Sequence, residues 1–352
     1  MRFFSKSKKP AAAPEAEFER SVVREAFPSW TPTPVPLDSS SSFVRTGVAV
    51  NPDETIACIT YVYTDKTQEA VPQLRGRLPW VLGSLHSVTT ITISNCALSE
   101  GIPGSFANLK TLRTLVLAGN GLDGPILDFW DELPNLEVVD LQRNQFAGEI
   151  PDSLTRLCYL KKLFLNGNRL TGRFPSLARL QNLLELSLAS NQLTGLLPAT
   201  VGSLERLEVL EIQGNKFTGL FPEELSQLKK LRVIQAQDNL LEGDVHVFAS
   251  MPSLTILLLD HNELSGDFTV PILHLRGLMT LRVNHNYLNF YHMNEYQIPA
   301  SFRMTSGARR FEYEPQKRRD ASSNSSNMPA TVLPAQDSIF AFKPKGNTFG
   351  QG

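Results

Sequence analysis

The chain has few cysteines, no long apolar run and no excess of either charge. Its 352 residues include three cysteines, Cys58, Cys96 and Cys158, which are odd in number and far apart. This usage is typical of a reducing compartment and not of a small disulfide framework. The 34 basic and 35 acidic residues nearly cancel, which argues against a dedicated nucleic-acid binder. No apolar stretch is long enough to span a bilayer, so no membrane span is predicted.

Sequence signals for catalysis are also missing. There is no Gly-x-Ser-x-Gly elbow, no histidine at a recognisable spacing from a cysteine, and no glycine-rich phosphate-binding motif. We therefore predict that the protein is not an enzyme and uses no cofactor. The start, MRFFSKSKKPAAAP, is basic but has no apolar core of signal-peptide length. It predicts a cytoplasmic or other intracellular protein that is not secreted, with organelle import left open.

The feature that is present throughout is a repeat of 23 or 24 residues. Most units follow the pattern of Leu160, Leu163, Leu165, Asn168 and Leu170, and then have a glycine and a proline. A regular period of this length indicates a solenoid. One polar residue recurs in each unit and predicts a ladder that satisfies buried backbone groups: Cys96, Asn120, Asn144, Asn168, Asn191, Asn215, Asn239, Asn262 and Asn286.

The pattern predicts how one unit folds. The short Leu-x-Leu stretch is expected to be a strand that stacks in parallel on its neighbours, about 4.8 Å away. The glycine and proline, as at Gly148 and Pro151, turn the chain away from the strand. A following Leu-x-x-Leu packs a 3₁₀ or helical turn on the convex side. The expected fold is an α/β solenoid, rich in β-structure, that coils in a right-handed sense around a parallel concave sheet.

These motifs resemble the leucine-rich repeat family, and its plant-type subclass in particular. The line LxxLxLxxNxLxGxIPxxLxxLxxL is matched closely at 136–157 and 160–180. The resemblance implies a protein-binding role, because the family consists mostly of protein-binding modules. The chain departs from receptor-type members, since it has no signal peptide, paired-cysteine cap, transmembrane segment or kinase domain. The expected partner is a protein, and in one interpretation the chain is a subunit of a large complex.

The composition divides the chain into five segments. The predicted organisation is a disordered or extended tail at 1–44, an N-terminal cap at 45–73, and a half repeat plus nine repeats at 74–288. An aromatic C-terminal cap at 289–318 and a disordered tail with an apolar end at 319–352 follow. Nucleic acid is not expected as a partner, except through the basic segment 303–319.

Strand residues between the leucines are expected to point to the concave face and form the binding site. Three zones are predicted: a basic one early in the array, an acidic one in the middle and an apolar one later. Phe164 is the candidate anchor. The alternatives are that β-branched residues merely favour strands, or that the chain's own tail covers the patch. The predicted site comprises Val116, Asp140, Phe164, Glu185, Val209, Glu211, Val233, Gln235, Ile256, Leu258 and Arg282.

One row of residues has ligands suited to a metal. Asp238, His261 and His285 each precede a ladder asparagine in three successive repeats, and such ligands suit zinc or non-haem iron. A polar edge of the concave face is the preferred interpretation, so no metal is predicted. The resulting hypothesis is a non-catalytic intracellular scaffold or adaptor that binds through its concave face and docks through its tails. A secreted or cell-surface recognition receptor is the alternative, and a metal-dependent enzyme is a lesser one.

Overall fold

A computed structural model describes residues 14–27, 46–50, 56–62, 74–268, 270–289 and 310–312. Its main element is one twelve-stranded sheet in which each repeat adds a strand. The first two strands pair antiparallel, and every later strand pairs in parallel with the one before it. In chain order, the strands are Thr46–Val50, Ile56–Val62, Thr90–Ser94, Thr114–Val116, Val138–Asp140, Lys162–Phe164, Glu185–Ser187, Val209–Glu211, Val233–Gln235, Ile256–Leu258, Thr280–Arg282 and Arg310–Glu312.

A second set of strands lies beyond each ladder residue and was not part of the sequence prediction. They form parallel sheets of two, three and five strands within the described residues. Glycines at positive φ, such as Gly148 at 85°, let the backbone turn sharply here, because they have no Cβ. The strands are Arg75–Arg77, Ala97–Ser99, Asp123–Pro125, Gln145–Gly148, Arg169–Leu170, Thr194–Leu196, Lys216–Leu220, Leu240–Gly243, Glu263–Asp267 and Tyr287–Asn289.

Short 3₁₀ turns complete the repeats on the side away from the concave sheet, as predicted. Neighbouring turns approach closely at glycines: a Cβ on Gly202 would lie 2.5 Å from the Glu224 side chain and 2.7 Å from its carbonyl oxygen. The turns span Trp80–Ser84, Gly104–Asn108, Trp130–Glu132, Leu154–Arg156, Ala199–Ser203, Glu223–Gln227, His246–Ser250 and Val270–His274.

The core is a continuous stack of leucines between the sheets and the turns. In the repeat that starts at Leu160, Leu163, Leu165 and Leu170 are completely buried along with Leu160 itself. The corresponding leucines of the next repeats stack on them. Each repeat therefore buries its apolar residues against its neighbours, which is why such an array is stable only as a stack.

The predicted asparagine ladder is present inside this stack. The Oδ1 atom of Asn191 accepts the N–H of Leu170, and its Nδ2 donates to the carbonyls of Leu165, Leu188 and Ala189. The same arrangement recurs at Asn144 and from Asn168 to Asn286. At the first rung, the thiol of Cys96 donates only to the Ser94 carbonyl, at 3.3 Å.

A helix covers the N-terminal end of the core, where the sequence predicted an extended or disordered tail. Helix α1, Pro14–Ala26, buries Val22 and Val23 against the Trp80–Ser84 turn and the Ile56–Val62 strand. The prediction for 1–44 is therefore wrong for these residues. The spacing of the helix's buried side chains fits one face of a helix, a signal that the proline-rich composition of the following residues obscured.

Glu19 fastens this helix to the solenoid. Its side chain is fully buried, and its two carboxylate oxygens accept the N–H groups of Ile56, at 2.5 Å, and Ser87, at 3.0 Å. The helix thus supplies acceptors to one backbone donor of the strand Ile56–Val62 and to one just before the first repeat front at Val88. The other limits of the five predicted segments stay predictions. Segment 319–352 lies outside the described residues, and in the predicted cap 289–318 only Asn289 and the strand Arg310–Glu312 are described.

Candidate functional site

The concave sheet presents two columns of side chains that the strand register lines up. Within each strand the middle residue points into the core and its two neighbours point out, as in Lys162, Leu163 and Phe164. Parallel pairing then puts equivalent residues of successive repeats side by side. All eleven predicted binding residues lie at outward positions of these strands, and each is partly exposed: Val116, Asp140, Phe164, Glu185, Val209, Glu211, Val233, Gln235, Ile256, Leu258 and Arg282.

The charges of the early and middle repeats largely pair with one another. Glu137 accepts from Arg113 at 2.7 Å and from Lys161 at 2.6 Å, and Lys162 lies 2.8 Å from Glu185. Hydrogen bonds to Lys161 and Arg113 lower the pKa of the Glu137 carboxyl. Arg113, Lys161 and Lys162, three of the basic side chains that the sequence suggested as a separate zone, are therefore matched by carboxylates one strand away. The fourth, Arg143, lies near enough to Asp140 for its charge to lower the pKa of that carboxyl.

Two carboxylates of the central column, Asp140 and Glu211, form no ion pair among the described residues, although the charge of Arg143 lowers the pKa of the Asp140 carboxyl. Asp140 accepts from the backbone N–H and the Nε2 of Gln142, at 3.1 and 3.0 Å. Glu211 accepts from the Nε2 of Gln235 at 3.3 Å. Burial raises the pKa of both carboxyl groups, because removing the charged form from water costs free energy.

The later part of the face is apolar, as the sequence predicts. Val209, Val233 and Ile256 lie side by side through the strand register, and Leu258 follows Gln235 in the central column. All four are partly exposed. An exposed apolar patch with a polar rim is typical of a binding surface. The alternative that the C-terminal tail covers this patch concerns residues outside the described ones.

The histidine row occupies the turn before the ladder. Asp238, His261 and His285 have φ values of 56°, 54° and 53°, and the equivalent residue of every other repeat also has a positive φ. Asp and His are among the non-glycine residues that tolerate this left-handed conformation. The residue types in the row thus have a local backbone explanation that the sequence alone did not reveal.

The geometry of the row does not converge on a metal. The rings of His261 and His285 stack with centroids 4.2 Å apart and planes 9° from parallel. Because lone pairs lie in the ring planes, parallel rings do not direct them at one ion. The Nδ1 of His261 lies 3.7 Å from Asp238 and 3.6 Å from the buried carboxylate of Asp260. Among the residues described, no group of three His, Cys, Asp or Glu side chains could hold a metal ion.

The cysteines give no sign of a nucleophile. Cys96 is buried, and burial raises the pKa of its thiol to about 12, so the reactive thiolate is not formed at neutral pH. Cys58 is half-buried and Cys158 is exposed. None of the three forms a disulfide within the described part of the chain.

Comparison with known proteins identifies the repeats. A family model described as "Leucine rich repeat" matches 158–217, 181–241 and 205–264, and another described as "Leucine Rich Repeat" matches 87–109 and 135–157. The Arabidopsis thaliana "Pollen receptor-like kinase 2" is 36% identical over 107 residues, which are 30% of this chain and 16% of that protein. The repeats are therefore leucine-rich repeats of the plant type, and the chain spans about a sixth of this curated relative.

Solved structures share the solenoid fold. The "Plant peptide hormone receptor RGFR1 in complex with RGF2" is 27% identical with a TM-score of 0.56, over 67% of this chain and 41% of that one. A "plant ice-binding protein" is 27% identical with a TM-score of 0.65, over 80% of this chain and 89% of that one. The predicted fold class, an elongated solenoid with a parallel sheet and short 3₁₀ turns, is confirmed.

The relatives overturn the predicted location and main function. They are receptor-like proteins and receptor kinases of plants, and the matched structures include receptor ectodomains with bound ligands. The prediction of an intracellular scaffold is wrong, and the secreted or cell-surface alternative fits the relatives better. The prediction of an intracellular location relied on the number of cysteines and on the apparent lack of a signal peptide. No helix in the described ranges is both long and apolar enough to cross a bilayer.

Proposed function

We propose that this chain is a non-catalytic recognition module that acts outside the cell or at its surface and binds an extended peptide or protein segment on its concave face. The observation that carries the proposal is a set of partly exposed apolar side chains in two adjacent columns of a parallel sheet: Val209, Val233 and Ile256 in one, Phe164 and Leu258 in the other. Aromatic and aliphatic side chains held by a rigid scaffold supply binding free energy at little cost in conformational entropy. The receptor-like relatives support the same role.

The repeat geometry suits an elongated ligand. Outward side chains recur about every 4.8 Å along the solenoid axis, so a segment that lies along the axis meets one repeat after another. The backbone groups of the sheet are already paired between strands. Affinity and specificity must therefore come from the side chains of the columns and not from strand addition.

A displayed library of random peptides, selected on the full chain, tests the proposal. Selected peptides are expected to lose affinity for a variant with Phe164→Ala and Leu258→Glu, because it removes the aromatic anchor and places a charge in the apolar zone. Leu220→Glu is the matched control. Leu220 is 65% exposed but lies on the outer strand Lys216–Leu220, so binding should persist.

Two results would contradict the proposal. Equal loss in the Leu220→Glu control would show that the charge acts on the surface in general. Undiminished binding by the Phe164→Ala and Leu258→Glu variant would place recognition elsewhere on the molecule. The location is tested separately with a fluorescent fusion at the C-terminus, whose signal should reach the cell surface or the medium.

A further inference from the structure

The central column contains a row of four residues, Asp140, Phe164, Ser187 and Glu211, which we call the acidic row. They are direct partners in the strand register: Asp140 with Phe164, Phe164 with Ser187, and Ser187 with Glu211. At about 4.8 Å per strand, the two carboxylates are separated by roughly 14 Å along the solenoid axis. An aromatic ring and a hydroxyl lie between them.

We propose that the acidic row binds an extended peptide that carries two basic side chains about four residues apart. The proposal rests on the proposed function and deepens it, since it assigns a ligand chemistry to the concave face. An extended chain advances at most about 3.3–3.6 Å per residue, so four residues cover the separation of the two carboxylates. Each carboxylate would accept charge-assisted hydrogen bonds from one guanidinium or ammonium group.

The first argument is charge. The cations Arg113, Lys161 and Lys162 of this face already have carboxylate partners at 2.6–2.8 Å. Asp140 and Glu211 are not in any ion pair among the residues described, and the donors that hydrogen-bond to them at normal distances are neutral amides. The charge of Arg143 acts on Asp140 without forming an ion pair. These two carboxylates of the central column are thus able to pair with a cation of a ligand.

The second argument is desolvation. Burial raises the pKa of the carboxyl groups of Asp140 and Glu211, and the effect of exposed Arg143 on Asp140 is smaller than that of burial. A half-buried carboxylate gains more from a cation than an exposed one, because the local dielectric constant is low. Phe164 lies between them in the strand register, and the face of an aromatic ring attracts a guanidinium or ammonium group by a cation–π interaction.

The third observation is the hydroxyl of Ser187, which lies in the same column between Phe164 and Glu211. Ser187 is 2% exposed and its Oγ makes no hydrogen bond of normal geometry within the described structure, although the hydroxyl interacts with Glu211 and lowers the pKa of that carboxyl. Buried hydroxyls in native proteins normally have a partner. A donor or acceptor of a peptide seated between the two carboxylates would supply one.

Titration with a defined probe tests the inference. The probe is a Gly-Ser peptide with two arginines four positions apart, labelled with a neutral dye, and binding is followed by fluorescence polarisation. The full chain is expected to bind it, and the isosteric double variant Asp140→Asn, Glu211→Gln is expected to weaken binding by roughly tenfold for each carboxylate. The control Glu149→Gln removes one exposed carboxylate outside the concave face and should leave the affinity unchanged.

Three outcomes would overturn the inference. They are no binding by the unmodified chain at millimolar probe, equal binding by the double variant, and equal binding of a probe in which glutamine replaces both arginines. Thermal denaturation of each variant confirms that it is folded. Library-selected peptides that lack basic pairs but still need Phe164 and Leu258 would refute the inference and leave concave-face recognition intact, whereas indifference to both variants would refute the proposed function.

Discussion

Replacing Asn191 by alanine tests the ladder quantitatively. Asn191 is 8% exposed and makes four hydrogen bonds. Its Oδ1 accepts from the backbone N–H of Leu170 at 3.0 Å, and its Nδ2 donates to carbonyls at 3.0–3.2 Å. Alanine removes all four bonds without giving water access to the turn.

The structure indicates which lost hydrogen bond contributes most to the destabilisation by Asn191→Ala. The carbonyl of Leu165 also accepts from Asn168, and that of Leu188 from Asn215, so both keep a partner in the variant. The N–H of Leu170 does not have a second acceptor among the described hydrogen bonds. One orphaned buried donor costs about 1–3 kcal/mol. We therefore expect Asn191→Ala to lower the free energy of unfolding by about 2 kcal/mol.

Asn191→Asp distinguishes the contribution of the Nδ2 donor from that of the Oδ1 acceptor. It keeps an oxygen for the N–H but places a carboxylate against the backbone carbonyls, so at neutral pH it should cost about 3–5 kcal/mol, as an unpaired buried charge does. Urea unfolding, followed by circular dichroism, measures both variants. Asn166→Ala, which removes one weak 3.3 Å bond to Gln142 on the concave face, is the control and should change stability by less than about 0.5 kcal/mol.

The ladder argument would be refuted by a specific result. If Asn191→Ala unfolds at the same urea concentration and with the same slope as the parent, the amide does not pair otherwise orphaned groups. If Asn191→Asp is no worse than Asn191→Ala at neutral pH, the three carbonyls do not surround the amide as described. Because repeat arrays unfold with incomplete cooperativity, each comparison uses the whole transition.

Three more outcomes follow from the structure. Glu19→Ala removes the acceptor of two backbone N–H groups, one buried and one partly buried, so limited proteolysis should release helix α1 while the repeat core persists. Glu17→Ala on the exposed face of the helix should have no such effect. Gly202→Ala pushes a Cβ against Glu224 and should cost about 1–3 kcal/mol in calorimetry. The pKa of Asp140 and Glu211 is raised in the folded state, so ionising these groups destabilises the fold above the ordinary carboxyl pKa. The double variant Asp140→Asn, Glu211→Gln should therefore raise the melting temperature at pH 7 but not at pH 3, and an equal shift at both pH values would contradict this reasoning.

Most of the fold was predictable because the repeats share one sequence pattern, so the fold inferred for one repeat applies to the others. The leucine spacing identified the concave strands, and the single polar position per unit identified the ladder, since only a few side chains can pair buried backbone groups at a turn. The outer strands were not predictable from the glycine and proline. Those residues mark a turn, whereas pairing of the short segments depends on the stacking distance between repeats.

The candidate site was predictable as a surface but not as a pattern of charge. Alternation along each strand assigned Phe164 and Glu211 to the concave face, which the structure agrees with. Cations of the predicted basic zone form ion pairs in the structure. Lys161 and Glu137, for example, are 24 residues apart in the sequence and 2.6 Å apart in space. Likewise, the structure shows that the residues of the histidine row adopt left-handed turn conformations and that the rings of His261 and His285 stack.

The sequence by itself determined the solenoid, its repeat length, its ladder and its outward columns, because these follow from local periodicity. Only the tertiary structure decided which charges of the columns are neutralised, that Asp140 and Glu211 form no ion pair within the described part of the chain, and that a helix held by Glu19 closes the N-terminal end of the core. The physical reason is the same in each case. The free energy of a charge depends on burial and on its neighbours, and in a solenoid those neighbours come from the preceding and following repeats.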